Sequence, residues 1–235
     1  CSNPLLRELE AGLRRRLYQW EHFPVDAVFD PWLDIPKAIH NTGFGIEIHE
    51  DTVAVDAGND VVSHDYENLF TTRKDIEKIR VPAVTHDQGE TERRMAMAHE
   101  IFDGIIEVRA QGITPYVSLW DPLATWMSVE DALMALIDRP DFIHQILERM
   151  THGYLAMLDQ LEEQGGLCQP QSVIHCTGAY TRELPAEGYN PDRPRCKDIW
   201  MFGLAQMLGT VSPAMYDEFE IRYTKRICER FGLVY

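Results

Sequence analysis

The stretch T-P-Y-V-S-L-W-D-P-L-A-T-W (residues 114–126) begins with the pattern of a buried β-strand and continues with that of a helix. Tyr116, Val117 and the apolar residues after them favour a strand, because aromatic and β-branched side chains pack well on a pleated surface. Asp121 and Pro122 then mark the start of a helix. A short strand that places an acid at its carboxyl end, followed by a helix, is typical of the pockets of α/β proteins.

Similar units lie on both sides of this stretch. Helices are predicted over residues 4–20, 87–102 and 140–161, where apolar side chains recur every three or four positions. Short strands are predicted over residues 25–30 and 172–176. This alternation predicts a parallel α/β architecture. We favour a β/α barrel over a doubly wound nucleotide-binding sheet, because the sequence contains no glycine-rich phosphate-binding motif.

Composition and charge limit the classes of partner. The chain has 235 residues and a formal net charge of −16, which would repel a nucleic acid or an anionic membrane surface. The only basic cluster, Arg14–Arg16, lies in a predicted helix and is interpreted as a solvated face. No apolar run approaches the roughly 18 residues that a membrane-spanning helix needs. The sequence therefore predicts a protein that binds neither nucleic acids nor membranes.

The cysteines predict a reducing compartment. Their number is odd and their spacing matches no disulfide framework, which is typical of cytoplasmic proteins. They are Cys1, Cys168, Cys176, Cys196 and Cys228. The chain begins without a methionine and ends on Leu233-Val234-Tyr235, which has the pattern of a new strand. We therefore expect a cytoplasmic protein and a sequence that is a fragment.

Two predicted strand ends carry an aspartate beside a tryptophan. Asp30 precedes Pro31-Trp32, and Asp121 follows Trp120. In a barrel such residues converge on one pocket, so Asp30 and Asp121 are candidate catalytic residues. The alternative for each aspartate is helix capping, since an aspartate before a proline commonly begins a helix.

A third strand end carries His175-Cys176. An imidazole and a thiolate are the usual ligands of zinc, which activates a thiol or a water molecule. Adjacent residues of a strand point to opposite faces, so both could bind one ion only where the strand has ended. The alternative is a buried cysteine beside a histidine with a structural hydrogen bond.

The long segment 177–198 is rich in proline, glycine and charged residues. A connection of this length in a compact domain is usually functional or mobile. Tyr180 and Glu183 supply a phenol and a carboxylate, and we consider both as substrate-binding residues on a lid. The alternative is an ordinary surface loop.

Several segments, in this order, resemble the uroporphyrinogen decarboxylase superfamily. They are V-D-A-V-F-D-P-W-L-D-I-P (25–36), F-T-T-R-K-D-I-E-K-I-R-V-P (70–82), the stretch 114–126 with A-L-I-D-R-P-D-F-I-H-Q-I-L (135–147), and G-T-V-S-P-A-M-Y-D-E-F (209–219). The resemblance implies a (β/α)8 TIM barrel with residues 1–235 as one incomplete domain. Its first strand would precede Cys1 and its last strands would follow Tyr235.

The superfamily contains tetrapyrrole decarboxylases and zinc-dependent methyltransferases that act with corrinoids or thiols. The sequence departs from the decarboxylases: the position of their aspartate falls on Pro31, that of their tyrosine on Trp126, and their serine turn is replaced by Ala205-Gln206. The resemblance therefore implies methyl transfer between a small methylated substrate and a corrinoid or thiol acceptor, with the corrinoid on a partner protein. The main zinc ligands would lie beyond Tyr235.

Three tryptophans complete the predicted site. Trp32, Trp120 and Trp126 would suit a flat aromatic substrate or the face of a corrin ring. Two alternatives stay open: uroporphyrinogen decarboxylase itself, and a barrel that binds a tetrapyrrole or corrinoid without transforming it.

Overall fold

A computed structural model describes residues 3–54 and 62–235 of the chain. The α-helices are α1 (Pro4–His22), α2 (Gln88–Phe102), α3 (Trp120–Met127), α4 (Val129–Asp138), α5 (Pro140–Glu163), α6 (Pro213–Tyr216) and α7 (Arg222–Cys228). The strands are β1 (Trp32–Pro36), β2 (Ile39–Asn41), β3 (Glu50–Ala54), β4 (Val62–Tyr66), β5 (Val84–His86), β6 (Glu107–Gln111), β7 (Tyr116–Val117), β8 (Val173–Ile174), β9 (Thr177–Gly178), β10 (Trp200–Gly203) and β11 (Leu233–Val234).

The predicted (β/α)8 barrel is wrong. Over residues 3–54 and 62–235 the strands form five separate sheets of two or three strands, and no closed barrel is present. Two sheets are parallel, namely β1 with β6 and the three-stranded sheet in the order β11-β10-β7. The other three pairs are antiparallel. Closing a barrel requires every strand to pair on both sides, and these short strands do not join into one sheet.

Four helices begin at a side-chain cap. Asn3, Asp87, Ser128 and Ser212 each accept a backbone N–H of the first turn through the side chain. Such a bond satisfies a donor that has no partner within the helix. The helix predicted from Pro140 is confirmed as α5, which is the longest helix of the described residues.

Helix α5 is the centre of the main core. One side of it is fully buried, including Ile143, Leu147 and Leu158, because apolar residues recur at the helical period along its length. Helices α4 and α7 pack against it, and α3 packs against α4. A second apolar cluster joins α1 and α2 to the β1–β6 pair through Leu9, Leu33 and their neighbours.

The stretch 114–126 has the predicted order of strand and helix. Tyr116 and Val117 form β7, and α3 starts at Trp120 with Asp121 in its first turn. The strand is shorter than predicted. Ser118 ends it, because its Oγ accepts the backbone N–H of Asp121 at 3.0 Å and so begins the helix.

The strand predicted over residues 25–30 is wrong, since the strand lies at Trp32–Pro36 instead. Val25 and Val28 are exposed, whereas Leu33 and Ile35 alternate with less buried neighbours and point into the second cluster. Asp30 therefore precedes a strand rather than following one. Among the helices of the described ranges, none is long and apolar enough to cross a membrane.

Candidate functional site

The end of the three-stranded parallel sheet carries a tyrosine and an aspartate in direct contact. The hydroxyl of Tyr116 in β7 donates a hydrogen bond to Oδ2 of Asp121 in α3. Burial and this hydrogen bond raise the pKa of Tyr116 to about 12, because both disfavour the phenolate. Tyr116 therefore stays protonated at neutral pH and keeps its ring in a fixed position.

The adjacent hairpin of β8 and β9 presents His175 and Cys176 in its two-residue turn. Both side chains are exposed, and Nδ1 of His175 lies 3.3 Å from Sγ of Cys176. The strand ends at Ile174, so the two side chains are free of the alternation that would separate them within a strand. His175 has a φ of 53°, which a two-residue hairpin turn requires but an L-residue adopts at a cost.

Phe202 of β10 joins these two groups. Its ring centroid lies 5.1 Å from that of Tyr116, 4.9 Å from that of His175 and 5.8 Å from that of Tyr235. We call Tyr116, His175, Phe202 and Tyr235 the aromatic patch. The hydroxyls of Tyr235 and Thr177 lie 3.0 Å apart, which ties the patch to the hairpin. The patch therefore reaches an exposed thiol through the ring of His175.

A second feature, the polar cleft, lies beside the other end of the same hairpin. It has a volume of about 400 Å³ and lies between α1, β1, β6 and the residues before β8. Its charged lining residues are Arg16, Asp30, Asp34 and Arg109, and Trp32 also lines it. Two predicted site residues, Asp30 and Trp32, are thus brought together.

Hydrogen bonds and stacking fix the groups of the cleft. Oγ of Ser172 donates to Oδ2 of Asp30 at 3.1 Å. The guanidinium of Arg109 lies 3.9 Å from the ring centroid of Trp32, a cation–π contact. Burial raises the pKa of Asp34, Asp30 adds to the rise, and Arg16 and Arg109 oppose it.

Four predicted residues neither line the polar cleft nor belong to the aromatic patch, namely Trp120, Trp126, Tyr180 and Glu183. Trp120 is fully buried and Trp126 is 4% exposed, and Trp126 stacks on Phe70 within the main core. Neither tryptophan offers a ring face to a substrate. Tyr180 and Glu183 lie exposed in the loop after β9, where the backbone N–H of Glu183 bonds to the hydroxyl of Thr181.

Sequence reasoning missed Phe202, Tyr235, Arg16 and Arg109. Arg16 belongs to the basic run interpreted as a solvated face; Arg14 in that run is exposed, whereas Arg16 turns to the cleft. Position along α1 could have shown this, because Arg16 follows Leu9 and Leu13 along the buried side of the helix. Phe202 had no local signal, since its neighbours come from strands far apart in the chain.

Zinc fits this geometry only in part. In a tetrahedral zinc site a sulfur and a nitrogen ligand lie about 3.5 Å apart, close to the separation of Cys176 and His175. A catalytic zinc takes three protein ligands. Throughout the described ranges no group of three or more His, Cys, Asp or Glu side chains could hold a metal ion. Among the described residues, Cys176 and His175 therefore supply two of the three protein ligands that a catalytic zinc takes.

The remaining described cysteines differ from Cys176. Cys168 and Cys196 are buried and Cys228 is half-buried. Burial raises the pKa of Cys168 to about 11 and also raises the pKa of Cys196 and of Cys228. These three thiols stay protonated at neutral pH, so Cys176 is the thiol best placed to react.

The sequence matches no protein-family model, and no curated protein or solved structure matches it significantly. Function therefore has to be inferred from the geometry of the aromatic patch and the polar cleft.

Proposed function

We propose that the protein is an enzyme that transfers a methyl group from a small methylated substrate to a thiol or corrinoid acceptor. The observation that supports this is the exposed pair of Cys176 Sγ and His175 Nδ1, 3.3 Å apart, beside the aromatic patch. A nucleophile and a base within hydrogen-bond reach are what covalent catalysis requires.

In the proposed step the thiol of Cys176 gives its proton to Nδ1 of His175. The thiolate then attacks the methyl carbon, and the bond between that carbon and the donor heteroatom breaks. The leaving heteroatom keeps the bonding electron pair and takes the proton back from the imidazolium. The products are the demethylated substrate and S-methylated Cys176, so atoms and charge balance.

Asp121 acts through Tyr116 in this proposal. The hydrogen bond from Tyr116 holds its ring against Phe202, whose ring in turn stacks on that of His175. Asp121 is therefore a positioning residue, because its carboxylate is already engaged by the phenol. Asp30 has no part in this step, since it lies in the polar cleft.

The onward acceptor is proposed to be a small thiol or the corrinoid of a partner protein. The flat rings of the patch, with Tyr116 and Tyr235 both exposed, suit contact with the face of a corrin. The proposed step uses only residues of this chain and is not routed through zinc. A cytoplasmic location is part of the proposal, because a reducing compartment keeps Cys176 as a free thiol.

The resemblance to the uroporphyrinogen decarboxylase superfamily supports this class of chemistry but assigns no residue role, since the described residues form no barrel. Decarboxylation of a substrate with many carboxylates is less favoured. The polar cleft holds two arginines and two aspartates, so it offers such a substrate no net positive charge.

A second function, binding of a tetrapyrrole or corrinoid without reaction, is favoured by the exposed rings of the aromatic patch. Absorbance titration with cobalamin distinguishes the two functions when it is combined with a transfer assay. Binding of cobalamin with no transfer to any acceptor would favour this second function.

Transfer is tested with donors that carry an isotopically labelled methyl group. The donors are an aryl methyl ether, a quaternary methylamine and a methyl thioether, and the acceptors are a small thiol and reduced cobalamin. We expect label in at least one acceptor, and a loss of about 100-fold or more in rate for Cys176→Ser and His175→Gln.

Cys228→Ser is the matched control, because Cys228 lies in α7 and outside the patch. Circular dichroism establishes that each variant folds. Zinc content is measured alongside to show whether activity follows the metal. Absence of transfer from all donors, or unchanged transfer by Cys176→Ser, contradicts the proposal.

A further inference from the structure

The polar cleft places two positive and two negative side chains around one small space. Its volume of about 400 Å³ falls in the range of roughly 300 to 1,000 Å³ that is usual for small-molecule sites. The lining comes from α1, β1 and β6, which carry Arg16, Asp34 and Arg109, and from the segments 28–30 and 169–172. Regular elements hold such a site more firmly than loops do.

The arginines and the aspartates of the cleft do not form ion pairs with one another. Across the described ranges, no ion pair within 4.0 Å links Arg16 or Arg109 to Asp30 or Asp34. Arg109 pairs instead with Glu107 at 2.7 Å and stacks on Trp32.

Arg16 is held by a different group. Its Nη1 donates to the backbone carbonyl of Trp32 at 3.4 Å. Arg16 is therefore oriented by a carbonyl and keeps its charge for a ligand, whereas Arg109 shares its charge with Glu107 outside the cleft lining.

The two arginines of the cleft do not offset the cost of burying the carboxylate of Asp34. Its carboxyl is half-buried on β1, and burial outweighs the arginines in setting the direction of its pKa shift. A partly desolvated carboxylate is stabilised by a nearby cation. A ligand cation in the cleft would supply that charge, while a ligand anion would meet Arg16 and Arg109.

We infer that the polar cleft binds a small zwitterion, a molecule with a carboxylate and a cationic nitrogen a few bonds apart. The carboxylate faces Arg16 and Arg109, and the cationic nitrogen faces Asp30 and Asp34. Trp32, Phe29 and Val28 line the same space and accommodate the carbon atoms of the ligand. This inference goes beyond the proposed function, because binding is measured without turnover and at residues that take no part in the methyl-transfer step.

Isothermal titration of the full chain with matched ligands tests the inference. Glycine betaine carries both charges, tert-butylacetate has the same shape without the cation, and choline has the cation without the carboxylate. We expect betaine to bind at least about 10-fold more tightly than either single-charge analogue. Glycine carries the same two charges on an unmethylated nitrogen, so its titration shows whether the cleft prefers a methylated or an unmethylated cation. Binding of either zwitterion supports the inference.

Variants locate the binding site. Asp34→Asn and Arg16→Gln are expected to weaken zwitterion binding about 10-fold or more, whereas Arg14→Gln, an exposed arginine on the same helix, leaves it unchanged. Thermal melting shows that each variant is folded. Failure of both zwitterions to bind overturns the inference, as does equal binding of tert-butylacetate or unaltered binding by both cleft variants. Methyl transfer in the same preparations is scored separately, so the two proposals fail independently.

Discussion

At the scale of the residue, the environment of each ionisable group decides what it does. Cys176 is exposed and adjacent to an imidazole, whereas Cys168 and Cys196 are buried thiols whose pKa is raised. Thiolates, not thiols, react with alkylating agents. The same residue type is therefore buried at two positions and exposed beside an imidazole at a third.

This difference predicts selective alkylation of the folded protein. Iodoacetamide at neutral pH is expected to modify Cys176 at least about 10-fold faster than Cys168 or Cys196. Peptide mass mapping over a time course measures the rates, and denatured protein provides the control in which the three cysteines react alike. Equal rates in the folded protein would show that the burial of the other two thiols is not as described.

Asp34 predicts a pH-dependent stability effect. Its pKa in the folded protein is raised above the ordinary value of 3.8, so its stabilising contribution is present below that value and is lost as pH rises through the folded pKa. At neutral pH the ionised carboxylate therefore costs stability.

Asp34→Asn is accordingly expected to melt higher than the wild type at pH 7, by at most about 2 to 4 °C because partial exposure screens the charge. The difference is expected to disappear near pH 3.5, where the wild-type carboxyl is protonated. A variant that melts lower than the wild type at pH 7 would show that Arg16 and Arg109 outweigh burial.

At the scale of the element, local signals predicted the helices and long-range contacts decided the strands. Asn3, Asp87, Ser128 and Ser212 begin helices because a cap depends only on the next three residues. The position of β1 depends instead on its pairing with β6, more than seventy residues later in the chain. No local pattern shows that pairing, which is why the strand was predicted too early.

Gly112 shows such a long-range contact at one position. A Cβ built on it would lie 2.3 Å from the carbonyl oxygens of both Gly166 and Leu167, because Ile113 and Leu167 form a parallel bridge. The backbone atoms there cannot move aside cheaply. Only glycine fits this crossing of the chain.

Gly112→Ala is therefore expected to lower the free energy of unfolding by about 1 to 3 kcal/mol or more. Gly209→Ala is the control, since a Cβ at Gly209 meets nothing within 4 Å, and it is expected to change stability by less than about 0.5 kcal/mol. Urea unfolding followed by circular dichroism measures both. Equal stability of the two variants would contradict the close approach at Gly112.

At the scale of the whole molecule, the order of helices and strands was predicted better than their assembly. Two parallel sheets are present, yet the described residues form no barrel. The predicted site divides accordingly: Asp30 and Trp32 lie in the polar cleft, and Asp121, His175 and Cys176 lie around the aromatic patch.

The patch itself could not have been predicted from local sequence. Phe202 contacts Tyr116 and Tyr235 because β10 lies between β7 and β11, and the three strands come from distant parts of the chain. His175 and Cys176 were predicted because an imidazole and a thiol, two groups that can bind a metal or react, are adjacent in the sequence. Arg16 was missed because its run was interpreted as a solvated face, and Arg109 because its place in the cleft depends on the pairing of β6 with β1.

The central claim is that the thiol of Cys176 accepts a methyl group. The most direct measurement is peptide mass mapping after a single incubation of the protein with the labelled methyl donors and no added acceptor. We predict one labelled methyl group on Cys176, absent from Cys176→Ser, strongly reduced in His175→Gln and unchanged in Cys228→Ser. Label that appears on no cysteine with any donor, or equally on Cys228, would contradict the claim.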